Sequence, residues 1–538
     1  MLLISFSAPL KAQQRSTHNA SVAKNLELFN EIYRMLDLFY VDTLSADTVM
    51  QWAIEGMLRR IDPFTEYYPQ ENDDLRQMAT GKYAGIGAVI RYVKSLDRTV
   101  IAEPYRDTPS SRAGLKAGDI IISVDGKDTK GMDTQTVSQM LRGEPGTTFT
   151  LVYKTPGEDA LHEVPVTRET IQLPAIPYCG VLGDGVGYLY LSSFTEGCAR
   201  AMRMALLELK SQGATRLLLD LRGNPGGALT EAVDVVNIFV NKGEKVVYTK
   251  GKISPANQDY LTTSDPVDTS MPVVVMVNGG TASSAEIVSG SLQDLDRAVV
   301  VGARTYGKGL VQMVRELNSG GAVKVTTSRY YIPSGRCIQA LDYSHRTDNG
   351  EAYRMPDSLT NVFYTEAGRP VRDGGGITPD VTALDSIPTL LAYVRNSDEY
   401  FDYINQFCLD HATIAPASEF ALTDEQYAGF VDYIVESGFT PENRSKKVVE
   451  QLRKILKADD ASPEAMANLD SLEQSIKPDI RKVLTQQQPL MSHFLASDIC
   501  ERYYLYAGAL QNALLHDKQL DAAIQVLKDT ARYQKILK

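Results

Sequence analysis

The run Pro272-Val-Val-Val-Met-Val277 ends abruptly in Asn278-Gly-Gly-Thr-Ala-Ser-Ser-Ala-Glu286, and this junction constrains the fold more than any other stretch. A short, continuous β-branched run reads as a strand buried on both faces, which calls for a parallel sheet with helices packed against it. The glycines let the backbone turn sharply, and the residues from Ser284 onward read as a helix. A small hydroxyl residue at such a turn is presented at the C-terminal end of a strand. A second β-branched run, Ala298-Val-Val-Val-Gly302, leads into Gly307-Lys-Gly-Leu-Val-Gln312.

A serine hydroxyl is a weak nucleophile until a base removes its proton. Histidine is the usual base, but His18, His162, His345, His411, His493 and His516 all lie outside the two glycine-rich stretches. Lys308 lies within the second, so a Ser283–Lys308 dyad is the leading reading. A lysine amine at its reference value of about 10.4 is protonated at neutral pH, and as a base it needs a value of about 7–8. Burial away from carboxylates moves it in that direction. Tyr306, Gly307, Gly309, Leu310 and Val311 are uncharged, and Gln312 can hold the amine by a neutral hydrogen bond. Ser284 competes for the nucleophile's role. Otherwise its backbone N–H is a candidate oxyanion donor, with Gly226 and Gly227 as candidates for the second.

These motifs together resemble those of the carboxy-terminal processing peptidases, also called tail-specific proteases. That family pairs a serine in G-x-A-S-x-x-E-I with a lysine in F/Y-G-K-G-x-V-Q, and here the two stand 25 residues apart. Ile61-Asp-Pro-Phe-Thr-Glu-Tyr-Tyr68, Asp220-Leu-Arg-Gly-Asn-Pro-Gly-Gly227, Arg329-Tyr-Tyr-Ile-Pro-Ser-Gly-Arg336 and Gly375-Gly-Ile-Thr-Pro-Asp380 extend the likeness over residues 25–385. The resemblance implies a serine endopeptidase that works through an acyl-enzyme on a crotonase-like α/β core. It supports the oxyanion role of Gly226 and Gly227 and matches Asp294 to a family aspartate eleven residues after the serine. For Asp294, helix packing, capping or a salt bridge competes with a supporting catalytic role.

Residues 81–167 resemble a PDZ domain, through Tyr83-Ala-Gly-Ile-Gly-Ala-Val-Ile90 and Ser111-Arg-Ala-Gly-Leu-Lys-Ala-Gly-Asp-Ile-Ile-Ile-Ser-Val-Asp-Gly126. Such a domain binds a peptide tail by strand addition. Backbone N–H groups from Gly85 to Gly87 would receive the terminal carboxylate. Ile86, Val89, Val137 and Leu141 would line the apolar groove, with residues 134–141 as the neighbouring helix.

The full organisation expected is α/β. A leader spans 1–13, a helical segment 20–80, the PDZ domain 81–167, the peptidase core 168–388 and a helical extension 390–538. Within the core, strands are expected near 187–191, 216–221, 272–277 and 298–302, with helices near 197–211, 228–240 and 284–294. Leu28, Ile32, Met35, Leu36 and Phe39 form a helical stripe expected to face a core. The extension starts helices at Thr423-Asp-Glu-Gln426 and Ser462-Pro463 and shows no chemistry of its own.

With 538 residues the chain exceeds one core, and its net charge of −12 argues against nucleic acid as a partner. The five cysteines, Cys179, Cys198, Cys337, Cys408 and Cys500, form neither a metal signature nor a disulfide framework. No cofactor and no metal are expected. The apolar start, although it lacks a basic n-region, points to export and to the periplasm. The partners implied are unfolded proteins or proteins with exposed C-termini, and the helical regions are candidates for self-association. Two rivals remain at this stage: a catalytically silent PDZ adaptor, and a crotonase-type enzyme acting on coenzyme A thioesters.

Overall fold

The computed structural model describes residues 8–69, 77, 80–346, 351–384, 387–441 and 444–538. The chain forms two compact units. Residues 1–71, 312–327 and 343–351 make the first; the second holds everything else.

The second unit is built on a six-stranded sheet in the order Tyr178–Val181, Val186–Tyr190, Arg216–Asp220, Val273–Val277, Val299–Gly302, Val381–Thr382. Its first pair is antiparallel and every later pair is parallel. The expected strands and helices of the core all form, to within a few residues of their expected ends. Alternation along the strands explains the layers, because successive side chains point to opposite faces. Leu217, Leu219, Val273 and Val275 face one way, where they pack with Met202, Leu206, Val233, Val236, Ile287 and Val288 from the helices Cys198–Ser211, Leu229–Val236 and Ser284–Asp294. Leu218, Val274 and Met276 face the other way and meet Leu520, Ala523, Val526 and Leu527.

Those last residues belong to the helix Lys518–Lys528, inside the stretch read from sequence as a separate helical extension. The extension is therefore two things. Helices between Thr389 and Ala513 enclose their own core around Phe407, Phe430, Leu495 and Ile499, whereas the last two helices serve as the second cover of the peptidase sheet. Five-residue strands such as Val273–Val277 are buried on both faces only because these helices cover the far side.

The PDZ-like segment folds as expected, with antiparallel strands Ala88–Val93, Arg98–Pro104, Ile120–Val124, Thr148–Lys154 and His162–Thr167. The helix Thr134–Leu141 is capped by Asp133, whose side chain accepts from Thr136 N–H at 2.7 Å. The strands Lys82–Gly85 and Glu169–Gln172 pair where the chain enters and leaves the domain.

In the first unit, helix Ala8–Phe39 starts inside the segment read as a leader. Residues 1–7 of that leader lie outside the described residues. The stripe Leu28, Ile32, Met35, Leu36 and Phe39 is not buried: these residues are 39–76% exposed. Asp62 organises the turn that follows, its carboxylate accepting from the N–H groups of Phe64 and Thr65 at 2.8 and 2.7 Å. Glu66–Tyr68 then pairs antiparallel with residues 322–324. Among the described residues no helix is long and apolar enough to cross a membrane.

Candidate active site

The strand Val273–Val277 delivers the chain to a tight turn whose bonds are satisfied locally. Asn278 Oδ1 accepts from Gly280 N–H at 2.9 Å and from Gly223 N–H at 3.0 Å, so one side chain ties this turn to the one after Asp220. Thr281 Oγ1 donates to Leu221 O at 2.8 Å, and Ala282 N–H donates to Asn224 O at 2.9 Å. Ser283 follows with φ 54° and ψ −118°. A serine holds such a conformation only where its surroundings impose it, and such strain clusters at functional sites.

What imposes it is a fully buried carboxylate. Glu286, 0% exposed, accepts from Ser283 N–H at 2.9 Å through Oε2 and from Lys308 N–H at 2.9 Å through the same oxygen. Its Oε1 accepts from Gly307 N–H at 2.8 Å and from Thr305 Oγ1 at 2.5 Å. Burial pushes the Glu286 carboxyl up to about 7, against the opposing pull of these four donors. Tyr330, 1% exposed, closes the clamp from the other side: its hydroxyl reaches Lys308 O at 2.8 Å and Ser283 O at 3.2 Å. In the sequence Glu286 stands out only as the glutamate of the serine motif, and Tyr330 only as part of Arg329–Arg336. Position three of a helix, where a glutamate can reach back to the cap N–H, was the signal available for Glu286.

Gly226 lies against the serine, since a Cβ placed on it would stand 2.7 Å from Ser283 Cβ and 2.9 Å from Ser284 N. Gly227 is equally constrained: its Cβ would meet Phe194 O at 2.3 Å, at a φ of 148°. The Gly226 N–H is already engaged by Asn224 Oδ1 at 2.8 Å. Among the described residues, the N–H groups of Gly227 and Ser284 have no acceptor. The Ser284 hydroxyl, on a residue 2% exposed, donates to Gly227 O at 2.8 Å. Ser283 and Lys308 are half-buried.

Gln312 belongs to the first unit, where it is half-buried and Nε2 donates to Thr326 Oγ1 at 3.2 Å. Thr326 Oγ1 lies 3.4 Å from Thr65 Oγ1, so Asp62, Thr65 and Thr326 form a hydrogen-bonded line that ends on Gln312. Asp294 sits at the far end of the helix that Ser283 starts. It is buried against Arg336 at 2.7 Å and accepts from Ser334 N–H at 3.0 Å, which makes it a structural crosslink. Among the described residues no cluster of His, Cys, Asp and Glu could hold a metal ion, and all five cysteines are free thiols.

In the PDZ-like domain a groove of about 220 Å³ is lined by Ile86, Val89, Leu141, Tyr83, Tyr105 and Ser138, among others. Gly85 and Gly87 flank Ile86 in the chain. Val137 is fully buried in the domain's core, and its neighbour Ser138 faces the groove.

The chain thus carries a constrained serine turn and a PDZ-like domain, and comparisons with known proteins place both in one family. A family model described as Peptidase family S41 matches residues 185–345, one described as PDZ domain matches 100–155, and one described as Probable PDZ-protease, C-terminal helical domain matches 390–527. The carboxy-terminal-processing protease of Bartonella bacilliformis is 35% identical over 346 residues, covering 63% of this chain and 79% of that one. A probable CtpA-like serine protease of Staphylococcus epidermidis is 32% identical over 339 residues, covering 62% and 67%. Among solved structures, a photosystem II D1 C-terminal processing protease aligns over 67% of this chain and 94% of its own, with 28% identity and a TM-score of 0.36. The chain belongs to the carboxy-terminal-processing proteases of peptidase family S41. It is a serine-type peptidase, which sets aside both the silent adaptor and the coenzyme A enzyme.

Proposed function

We propose that this protein is an endopeptidase that takes exposed C-terminal tails into its PDZ groove and cleaves the chain with a Ser283–Lys308 dyad. The observation that carries the reading is the shared clamp: Glu286 and Tyr330 each hold the backbones of both residues. The Ser284 hydroxyl is engaged by Gly227 O, which supports Ser283 as the nucleophile.

The neutral amine of Lys308 takes the Ser283 proton as Oγ attacks the scissile carbonyl. The N–H groups of Gly227 and Ser284 stabilise the oxyanion, and Gly226 clears the space for it. The Lys308 ammonium then returns its proton to the departing amine, leaving an ester on Ser283. Water, deprotonated by the same amine, releases the acid product and restores the serine. The crotonase-like description of the core belongs to this reading, as does the role of Gly85, Ile86 and Gly87 in receiving the tail's carboxylate, with Val89 and Leu141 lining the groove.

Export to the periplasm, on the apolar start of the chain, is part of the same proposal, and cell fractionation tests it. So is self-association through the N-terminal helix, where Leu26, Leu28, Phe29, Ile32, Met35 and Leu36 are 39–65% exposed. An apolar stripe left open on one chain suits a second copy.

The deciding experiment compares Ser283→Ala with Ser284→Ala on an unfolded protein substrate, together with mapping of the serine labelled by a fluorophosphonate. Loss of cleavage and of labelling in Ser283→Ala alone is expected. Loss in Ser284→Ala, with Ser283→Ala fully active, would move the nucleophile by one residue.

A further inference from the structure

We propose that the C-terminal extension holds the oxyanion loop in register: Asp517 and Gln519 brace Arg222, and through it residues 220–227, against Ser283. The proposal rests on the Ser283 reading above and assigns a positioning role to a region with no chemistry of its own.

Arg222 lies at the start of the loop, five residues before Gly227. Its guanidinium is divided between two sources. Asp220, in the same strand end, accepts from Nε at 3.0 Å and from Nη2 at 2.6 Å. Asp517 lies 2.6 Å from the same Nη2, and Gln519 Oε1 accepts from Nη1 at 3.0 Å. Asp517 and Gln519 thus take donors on Nη2 and Nη1 that Asp220 does not reach. Planar, fork-shaped donors fix orientation as well as position.

Both braces are themselves immobilised. Asp517 caps the helix Lys518–Lys528, its Oδ1 accepting from Leu520 N–H at 2.9 Å while Oδ2 holds the arginine. Gln519, 5% exposed, donates through Nε2 to Ala383 O at 2.8 Å, beside the edge strand of the sheet. The helix is seated on the sheet by Leu520, Ala523, Val526 and Leu527.

From Arg222 the path to the serine is short and made of hydrogen bonds. The Arg222 N–H donates to Asp220 Oδ1 at 2.9 Å, and Gly223 N–H donates to Asn278 Oδ1 at 3.0 Å. Asn224, fully buried, receives Ala282 N–H on its carbonyl and Gly226 N–H on its side chain. Oxyanion donors act only within tenths of an ångström of their target, and a displacement of about 1 Å can cost about a hundredfold in rate. A loop anchored at Arg222 keeps the Gly227 N–H where the oxyanion forms. With the brace removed, the arginine is held only at its Asp220 side, by a carboxylate fixed at the strand end by the Tyr188 hydroxyl at 2.7 Å, and the Nη1 side of the fork is released.

The test uses the full chain. Steady-state kcat and KM on an unfolded protein substrate, and the rate of Ser283 labelling by a fluorophosphonate, are measured for the wild type, Asp517→Ala/Gln519→Ala, Asp517→Asn and Gln519→Ala. The double variant should lose about ten- to a hundredfold in kcat and in labelling rate with KM unchanged. Asp517→Asn keeps one oxygen for the helix cap but sets an amide NH2 against Arg222 where Oδ2 stood, so it should lose activity in the same direction as the double variant with the cap retained. Equal kcat in wild type and a folded double variant, or a change in KM alone, overturns the brace. Should the double variant not fold, Gln519→Ala reads the same quantity, and an undiminished kcat there overturns it. Wild-type labelling at a residue other than Ser283 overturns the site reading, and the brace with it. Labelling at Ser283 that is equally fast in the double variant overturns the brace alone.

Discussion

Ser283 and Lys308, 25 residues apart in the chain, share two backbone partners: one oxygen of Glu286 for their N–H groups and the Tyr330 hydroxyl for their carbonyls. Two loops from different strands are thereby locked to each other through buried groups. The residues proposed as nucleophile and base are held at their backbones, which cannot drift apart.

The clamp makes Tyr330→Phe informative, because it removes one hydroxyl and nothing else. It should lower kcat by about tenfold and cost about 1–2 kcal/mol of stability, the scale of a buried hydrogen bond lost with an unsatisfied partner. Glu286→Gln should be worse, since an amide offers one acceptor oxygen where the carboxylate serves four donors. Urea titration and steady-state rates on the same preparations check both. Full activity in Glu286→Gln would mean that the two loops hold their register without it.

Lys308→Arg should be as inactive as Lys308→Ala. A guanidinium keeps its proton in proteins and cannot act as a base. Wild-type kcat/KM should rise with pH through an apparent pKa well below the reference lysine value of about 10.4. Substantial activity in Lys308→Arg would assign the lysine a purely electrostatic role.

A second buried carboxyl gives a stability prediction with a definite sign. Glu501, in the long helix Gln488–Ala513, is pushed up to about 7 by burial and by the neighbouring Glu103 and Asp498, against Arg502 and Arg395. Glu103 comes from the PDZ strand Arg98–Pro104 and also accepts from Tyr506 N–H at 2.8 Å, a donor freed where Leu505 leaves helical geometry at φ 60°. Burial raises Glu103 as well, against its bonds to Tyr506 and Glu501. A carboxyl raised from 4.5 to about 7 in the fold adds stability that is fully present below 4.5 and is lost as pH rises through about 7. Glu501→Gln mimics the protonated form, so it should be nearly neutral at pH of about 5 and stabilising by about 2 kcal/mol at pH of about 8. Equal urea midpoints for the two proteins at both pH values would show that the carboxyl ionises without cost.

The PDZ groove should prefer a free, apolar C-terminus. Replacing the peptide's carboxylate by an amide should weaken binding by about 1.5–3 kcal/mol, the scale of a hydrogen bond to a charged group. Calorimetry on the full-length Ser283→Ala protein with paired acid and amide peptides measures this. Equal affinity would mean that the turn at Gly85 to Gly87 does not read chain ends. Ser138→Leu should shift the preferred last residue of the peptide, since Ser138 and not Val137 faces the groove.

The sequence by itself determined the strands of the sheet, the helix that starts after Ser283, the PDZ segment and the residues proposed for the dyad, because each is written in local pattern. β-branched runs fix strands, glycines fix turns, and a serine and a lysine after two such strands stand out against uncharged neighbours. Helix Thr134–Leu141 was legible to its ends, yet which of Val137 and Ser138 faces the groove depends on rotation about an axis that spacing alone left one residue off. Only the tertiary structure decided the rest. The same 3.6-residue periodicity describes a stripe facing a core and one facing outward, so the exposure of Leu28 and Phe39 had no separate local mark. Glu286 reads as an ordinary first-turn glutamate until the segment from Thr305 to Lys308 folds over it. Asp517 reads as an ordinary helix cap until Arg222, nearly three hundred residues earlier, lies 2.6 Å away. A cap or a buried acid is a local fact, but what it faces is set by which surfaces the whole chain brings together, and no window of sequence contains that.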